Sequence, residues 1–233
     1  MIPMPIAFLH IDGGPRELPA DDIHVWSAPL DRSCDIALLT PDERVRADRF
    51  KMERIRRQFV AARVQMRIIL GGYLGIEPGA VPIVYLDGGK PVLDPSLGRD
   101  LHFNVSHSEA LAIYAVTRAG RVGVDVERRR NLPNPEALVE RFFSQGEREI
   151  FRNLPECERQ AAFFCAWTRK EAVLKAVGQG VQSLDQCDVT FCPGEPEAVL
   201  RMGDDWNCGS KWLLRSWEPE AEFVAAVAVE LRR

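Results

Sequence analysis

Gly123-Val-Asp-Val-Glu127 decides the reading of this chain. Two acids alternate with two valines, which is the period of a β-strand, so Asp125 and Glu127 leave the same face. A second stretch, Trp167-Thr-Arg-Lys-Glu-Ala-Val-Leu-Lys175, reads as the end of an amphipathic helix. Phe163, Trp167, Leu174 and Val177 share its apolar stripe, and Glu171 falls within that stripe. Carboxylates rarely sit in a core without a partner. Three of them converging would need a cation or protons between them. Mg²⁺, a hard cation that takes oxygen ligands and keeps waters for a phosphate, is the simplest partner.

Working outward, the chain has an internal echo. Thr40-Pro-Asp-Glu43 and Ser144-Gln-Gly-Glu147 are both capping boxes, and they lie 104 residues apart. Keeping that offset places Phe59 on Phe163, Ala62 on Ala166, Arg63 on Trp167 and Arg67 on Glu171. Both long helices end near glycine, at Gly71-Gly72 and at Gly178 and Gly180. We therefore expect an α+β fold of two similar α/β halves about a pseudo-twofold axis, residues 1–118 and 119–233, with a ligand cleft between them. Expected strands are 22–28, 81–86, 111–117, 121–127, 187–192, 211–217 and 222–231. Expected helices are 41–49, 54–74, 135–142, 145–153 and 158–177. Asp87-Gly-Gly is a turn signal.

Bulk composition narrows the class. The 233 residues are 46% hydrophobic and 27% charged, as in a globular protein with a full core. A net charge of −4 argues against a general nucleic-acid binder. The start, MIPMPIAFLH, has no cationic segment and two early prolines, unlike a signal peptide. No apolar run is long enough to span a bilayer. Six cysteines without C-x-x-C spacing argue against structural zinc and for a reduced, cytoplasmic chain.

Other residues could carry chemistry. Lys175 lies at i+4 from Glu171, which by itself could be a helix-surface pair. As part of a site, Glu171 would face a metal and Lys175 a phosphate. Phe103-Asn-Val-Ser-His-Ser108 supplies Ser106 and His107 just after an expected loop. Strand neighbours point apart and no G-x-S-x-G elbow exists, so a phosphate or ribose contact fits them better than a hydrolase pair. Arg44, Arg46, Arg49, Lys51, Arg54, Arg56, Arg57, Arg63 and Arg67 make a dense basic segment. It is either a solvated helix face or an anion clamp and docking patch for an acidic partner. Lys90, in Gly88-Gly-Lys-Pro91, is another candidate phosphate contact in a loop too short for a Walker motif.

Together these motifs resemble an Sfp-type 4'-phosphopantetheinyl transferase. That family carries G-[VI]-D-[VI]-E and then W-x-x-K-E-[AS]-x-x-K, matched here by Gly123–Glu127 and Trp167–Lys175. G-K-P appears as Gly89–Pro91, F-N-x-S-H as Phe103–His107 and R-F-F-S as Arg141–Ser144. The resemblance implies transfer of phosphopantetheine from coenzyme A to a serine of an apo acyl or peptidyl carrier protein, with release of 3',5'-ADP. It implies that Asp125, Glu127 and Glu171 hold Mg²⁺. Glu171 would also be the general base, and Lys175 would neutralise pyrophosphate charge. Lys90, Ser106, His107 and an arginine of the 54–57 stretch, Arg54 or Arg57, would grip the nucleotide. It further implies a monomer serving nonribosomal-peptide, polyketide or other secondary-metabolism carriers. Two alternatives remain at this point: a Mg²⁺-dependent nucleotide hydrolase and a non-catalytic carrier-binding module.

Overall fold

The first half of the chain builds a sheet whose central strands are buried on both faces. The computed structural model describes residues 4–11, 17–86, 89–97, 100–192 and 194–232. In order come β1 (Ile6–His10), β2 (Ile23–Pro29), α1 (Pro41–Asp48), α2 (Glu53–Leu74), β3 (Ile83–Tyr85), β4 (Pro91–Leu93), β5 (His102–Ser108) and β6 (Leu111–Thr117). The sheet order is β1-β2-β6-β5, with β1 parallel to β2 and the other pairs antiparallel. Strands β3 and β4 form a separate antiparallel pair. All seven residues of β6 are buried, and alternation divides them. Ala112, Tyr114 and Val116 pack with Ala61, Met66, Ile69 and Leu70 of α2. Leu111, Ile113 and Ala115 face the other half.

The second half runs β7 (Gly120–Arg128), α3 (Pro135–Phe142), α4 (Gln145–Asn153), α5 (Glu156–Val177), β8 (Cys187–Val189), β9 (Val199–Met202), β10 (Trp212–Trp217) and β11 (Phe223–Leu231). Its main sheet is antiparallel, in the order β10-β11-β7, and β8 pairs with β9. Val122, Val124 and Val126 of β7, with Ala225 and Val227 of β11, meet the first sheet in a shared core. Each of these valines contributes about 1.5–3 kcal/mol when fully buried. The layers are therefore α2, first sheet, second sheet and α5, an α+β fold of two halves.

With the valines of β7 facing the shared core, Gly123, Asp125 and Glu127 face α5. Gly123 has to be glycine there: a Cβ would stand 2.0 Å from the Ala172 carbonyl oxygen and 2.4 Å from the Ala176 nitrogen. The missing side chain lets the helix lie directly on the strand. That contact brings Asp125 level with the face of α5 that carries Glu171 and Lys175.

All five expected helices are present. Both capping boxes form, with Thr40 and Ser144 accepting from the backbone of Glu43 and Glu147. The 104-residue offset holds for these caps only. Helices α2 and α5 are both 22 residues long and end on left-handed glycines, Gly75 and Gly178, so they superpose one residue closer. The counterpart of Arg67 is thus Lys170, not Glu171. Strands β1, β4, β5 and β9 went unanticipated, and Asn104–His107 lie within a strand rather than after a loop. Strand 81–86 shrinks to three residues, and 187–192 shortens to β8, with a register shift at Asp188/Val189. Asp87 and Gly88 of the turn signal lie outside the described residues.

Candidate active site

Strands β5 and β7, one from each half, are sewn together by side chains. The Val124 amide donates to Asn104 Oδ1 at 3.0 Å. Ser106 Oγ donates to Asp125 Oδ1 at 2.8 Å, and Ser108 Oγ to Glu127 Oε2 at 3.2 Å. The alternate polar residues Asn104, Ser106 and Ser108 thus form a polar seam where the shared core ends. This explains a strand that turns polar groups inward. Its signal in the sequence was the period-2 spacing of those three residues.

Asp125 is 4% exposed and Glu171 8%. Lys175 Nζ stands 2.6 Å from Asp125 Oδ1 and 2.9 Å from Ser106 Oγ. Asp125 Oδ2 and Glu171 Oε1 are buried without a hydrogen-bond partner. Burial pushes the Glu171 carboxyl up to about 7, with Asp125 and then Glu127 adding to the rise and Lys175 opposing it. Burial raises Glu127 too, Asp125 adds to the effect, and the Ser108 hydroxyl opposes it. Three acids crowd one ammonium, so a proton or a further cation is favoured there.

The donors present suit a hard divalent ion. All are carboxylate oxygens, and two are buried and unpartnered. Among the described residues no three His, Cys, Asp or Glu side chains form a ready metal cage. Mg²⁺ does not require one: it binds through one or two carboxylates and completes its shell with water and substrate phosphate.

These groups line a cavity of about 870 Å³ between the halves. Asp125, Glu127, Glu171, Lys175, Lys90, Ser106 and His107 all border it. Ser106 uses its hydroxyl on Asp125 and Lys175, and its neighbour His107 is exposed at the margin. Lys90 Nζ donates to the Lys175 and Ala176 carbonyls at the end of α5. Burial lowers its pKa to about 8, with Arg121 adding to the drop. Arg54 and Arg57 are exposed and do not border the cavity, and Arg54 pairs with Glu109 at 3.4 Å. The arginine that does border it is Arg63, with Phe59 one turn before it. The Arg63 guanidinium lies 5.4 Å from the Phe59 ring centroid and 5.3 Å from that of Tyr85. Arg63 belongs to the basic segment, and its i+4 spacing from an aromatic residue was the available signal.

The two halves meet over a cavity bordered by carboxylates and lysines, and comparison with known proteins gives the family. A model described as the 4'-phosphopantetheinyl transferase superfamily matches residues 121–228. One described as 4'-phosphopantetheinyl transferase, N-terminal, matches 26–119. The chain is 41% identical over 218 residues to the 4'-phosphopantetheinyl transferase HetI of Nostoc sp., covering 91% of this chain and 89% of that one. It is 32% identical to 4'-phosphopantetheinyl transferase psf-1 of Bacillus pumilus, over 70% of this chain and 68% of that one. It is 25% identical to a 4'-phosphopantetheinyl transferase of Bacillus subtilis, over 82% of each. The chain belongs to the 4'-phosphopantetheinyl transferase superfamily and is an enzyme of that activity, acting on carrier proteins. Among the described residues no helix is long and apolar enough to cross a membrane.

Proposed function

We propose that this enzyme takes phosphopantetheine from coenzyme A and places it on a carrier-protein serine, with Asp125, Glu127 and Glu171 holding Mg²⁺. The observation that carries this reading is the pair of buried, unpartnered oxygens, Asp125 Oδ2 and Glu171 Oε1, in a cavity also bordered by Lys90 and Lys175. The cation, when bound, would neutralise charge developing on the pyrophosphate.

The chain's own residues do the rest. Glu171, which has a buried oxygen without a hydrogen-bond partner and borders the cavity, accepts the proton of the serine hydroxyl, directly or through water. The serine oxygen bonds to the β-phosphorus as the bond from that phosphorus to the bridging oxygen breaks. The bridging oxygen leaves with 3',5'-ADP. Lys175 steadies the departing charge. Lys90, Ser106 and His107 contact the nucleotide portion, joined by an arginine of α2: Arg63, which borders the cavity, or Arg54 or Arg57 nearer the helix start. On this reading residues 119–233 carry the acids and residues 1–118 the nucleotide and carrier contacts. One chain supplies both walls of the cavity, which suits a monomer. A cytoplasmic setting and secondary-metabolism carriers, nonribosomal-peptide or polyketide, complete the proposal.

The test is mass spectrometry of an apo acyl carrier protein after incubation with enzyme, coenzyme A and Mg²⁺. An increase of one phosphopantetheine group on a serine is expected, and it should vanish with EDTA. Release of 3',5'-ADP without any carrier would instead identify a hydrolase.

A further inference from the structure

The Lys175 side chain makes contacts that its proposed role on phosphate does not require. Its ammonium bonds Asp125 Oδ1 and Ser106 Oγ together. The Lys175 side chain is 28% exposed and that of Asp125 6%, so the charge sits at the cavity edge of a buried carboxylate. One oxygen of Asp125 is thus held by an ammonium, while its other oxygen and Glu171 Oε1 have no partner. A divalent ion entering here must share Asp125 with Lys175, and two cations on one carboxylate repel.

We infer that Lys175 is a place-holding counter-ion that competes with the divalent cation for Asp125 until substrate pyrophosphate draws its ammonium away. The helix need not move for this. Lys90 fixes the Lys175 and Ala176 carbonyls, so the last turn of α5 is anchored. The flexible four-carbon stem of Lys175 can then swing its ammonium along the cavity. While Lys175 stays on Asp125, the three acids are partly neutralised, which limits their mutual repulsion. Once phosphate takes the ammonium, Asp125 keeps only the neutral Ser106 hydroxyl as a partner and its charge is available to the metal. Metal and substrate therefore bind with positive coupling, and by linkage each strengthens the other by the same factor. Lys175 so acts as a positioning residue for the metal as well as a contact for phosphate. This inference rests on the proposed function, which places a divalent ion and a pyrophosphate in the cavity.

The test measures binding rather than turnover. Mn²⁺ affinity is read from the free-ion electron paramagnetic resonance signal, with and without coenzyme A, after correction for Mn²⁺ held by coenzyme A alone. Wild-type enzyme is expected to bind Mn²⁺ at least about tenfold tighter with coenzyme A present. Lys175→Met should bind Mn²⁺ at least about tenfold tighter than wild type without coenzyme A, and its gain from coenzyme A should shrink severalfold. Ser106→Ala, which keeps the charge but removes one of its two anchors, should move Mn²⁺ affinity the same way by less. Unchanged or weaker Mn²⁺ binding by Lys175→Met overturns the inference. An equal rise with and without coenzyme A also overturns it, because that is the effect of a lost charge without competition. Absence of Mn²⁺ binding by both proteins under all conditions overturns the metal reading itself and this inference with it.

Discussion

Glu147 and Lys170 form a buried ion pair that ties the capping box of α4 to the middle of α5. Lys170 is 0% exposed and also lies over the Phe143 ring. Glu147 Oε2 takes the Ser144 amide and Oε1 takes the Val189 amide, so one carboxylate joins α4, α5 and β8. The first half repeats the device with Glu43 and Arg67, 2.8 Å apart. There Tyr85 supplies the third partner, 3.4 Å from Glu43 Oε1. In each half the glutamate that caps the short helix also fixes the long helix, and in the second half the next residue along is Glu171.

Breaking the Glu147–Lys170 pair from one side should be costly. Lys170→Met leaves a buried carboxylate with its cation gone, and the expected loss of stability is about 3–5 kcal/mol. Replacing both partners, as in Glu147→Leu with Lys170→Met, removes the buried charges together and should recover much of that loss. Urea denaturation of the two variants measures the difference. A double variant no more stable than the single one would show that the Ser144 and Val189 amides, not the ion pair, dominate the role of Glu147.

Gly123 makes a sharper prediction, because its neighbours are backbone atoms that cannot rotate away. Gly123→Ala should push α5 off β7 and cost about 3 kcal/mol or more, as overpacking against rigid neighbours does. Where the variant still folds, Glu171 and Lys175 move relative to Asp125. Activity should then fall far more than the remaining folded fraction explains. Thermal unfolding together with specific activity checks both parts. Wild-type activity in a folded Gly123→Ala protein would mean that close contact between strand and helix is unnecessary for the site.

The helices were legible because their ends are marked and their faces periodic. Thr40-x-x-Glu43 and Ser144-x-x-Glu147 announce two of them, and Gly178 stops a third. The shared face of Asp125 and Glu127 followed from alternation alone. Strand β5 was hidden because its inward residues include Asn104 and Ser106, which a hydrophobic pattern assigns to loop or surface. They are buried to bond β7, a tertiary demand that their period-2 spacing signals without naming the partner strand. The one-residue difference between the two offsets was hidden for a related reason. Pairing of Glu43 with Arg67 and of Glu147 with Lys170 is visible only across helices. That Arg63, rather than Arg54 or Arg57, borders the cavity was not legible, because composition does not tell which turn of α2 reaches it.

Lys90 gives a pH dependence. Burial lowers its pKa in the folded protein to about 8, and Arg121 contributes. Its charge is therefore present below pH 8 and lost as pH rises through that value. Affinity for 3',5'-ADP, whose phosphates stay ionised over this range, should fall between pH 7 and pH 9.5. Lys90→Arg keeps its charge throughout and should flatten that fall. For stability the sign is opposite: a lysine with a depressed folded pKa disfavours the folded state below about 8, and the penalty eases as pH rises toward the unfolded value. Titration calorimetry at several pH values tests the affinity, and a pH-independent affinity in wild type would remove Lys90 from the nucleotide contacts.

Glu171 and Asp125 should separate kinetically, because their surroundings differ. Glu171 has a buried oxygen without a hydrogen-bond partner on the cavity wall, which leaves it open to take a proton. Asp125 is bonded to Lys175 and Ser106, which suits holding charge in place. Glu171→Gln keeps shape and polarity but cannot take the serine proton, so kcat should fall by about 100-fold or more while the KM for coenzyme A stays within a few-fold. Asp125→Ala removes the partner of Lys175 along with a proposed metal ligand. Mg²⁺-dependent labelling of an apo carrier should then be abolished, and extra Mg²⁺ should not restore it. Steady-state kinetics on both variants with varied coenzyme A and Mg²⁺ decides the assignment. Full activity in Asp125→Ala would sink the metal role, and a Glu171→Gln defect confined to KM would move the base elsewhere.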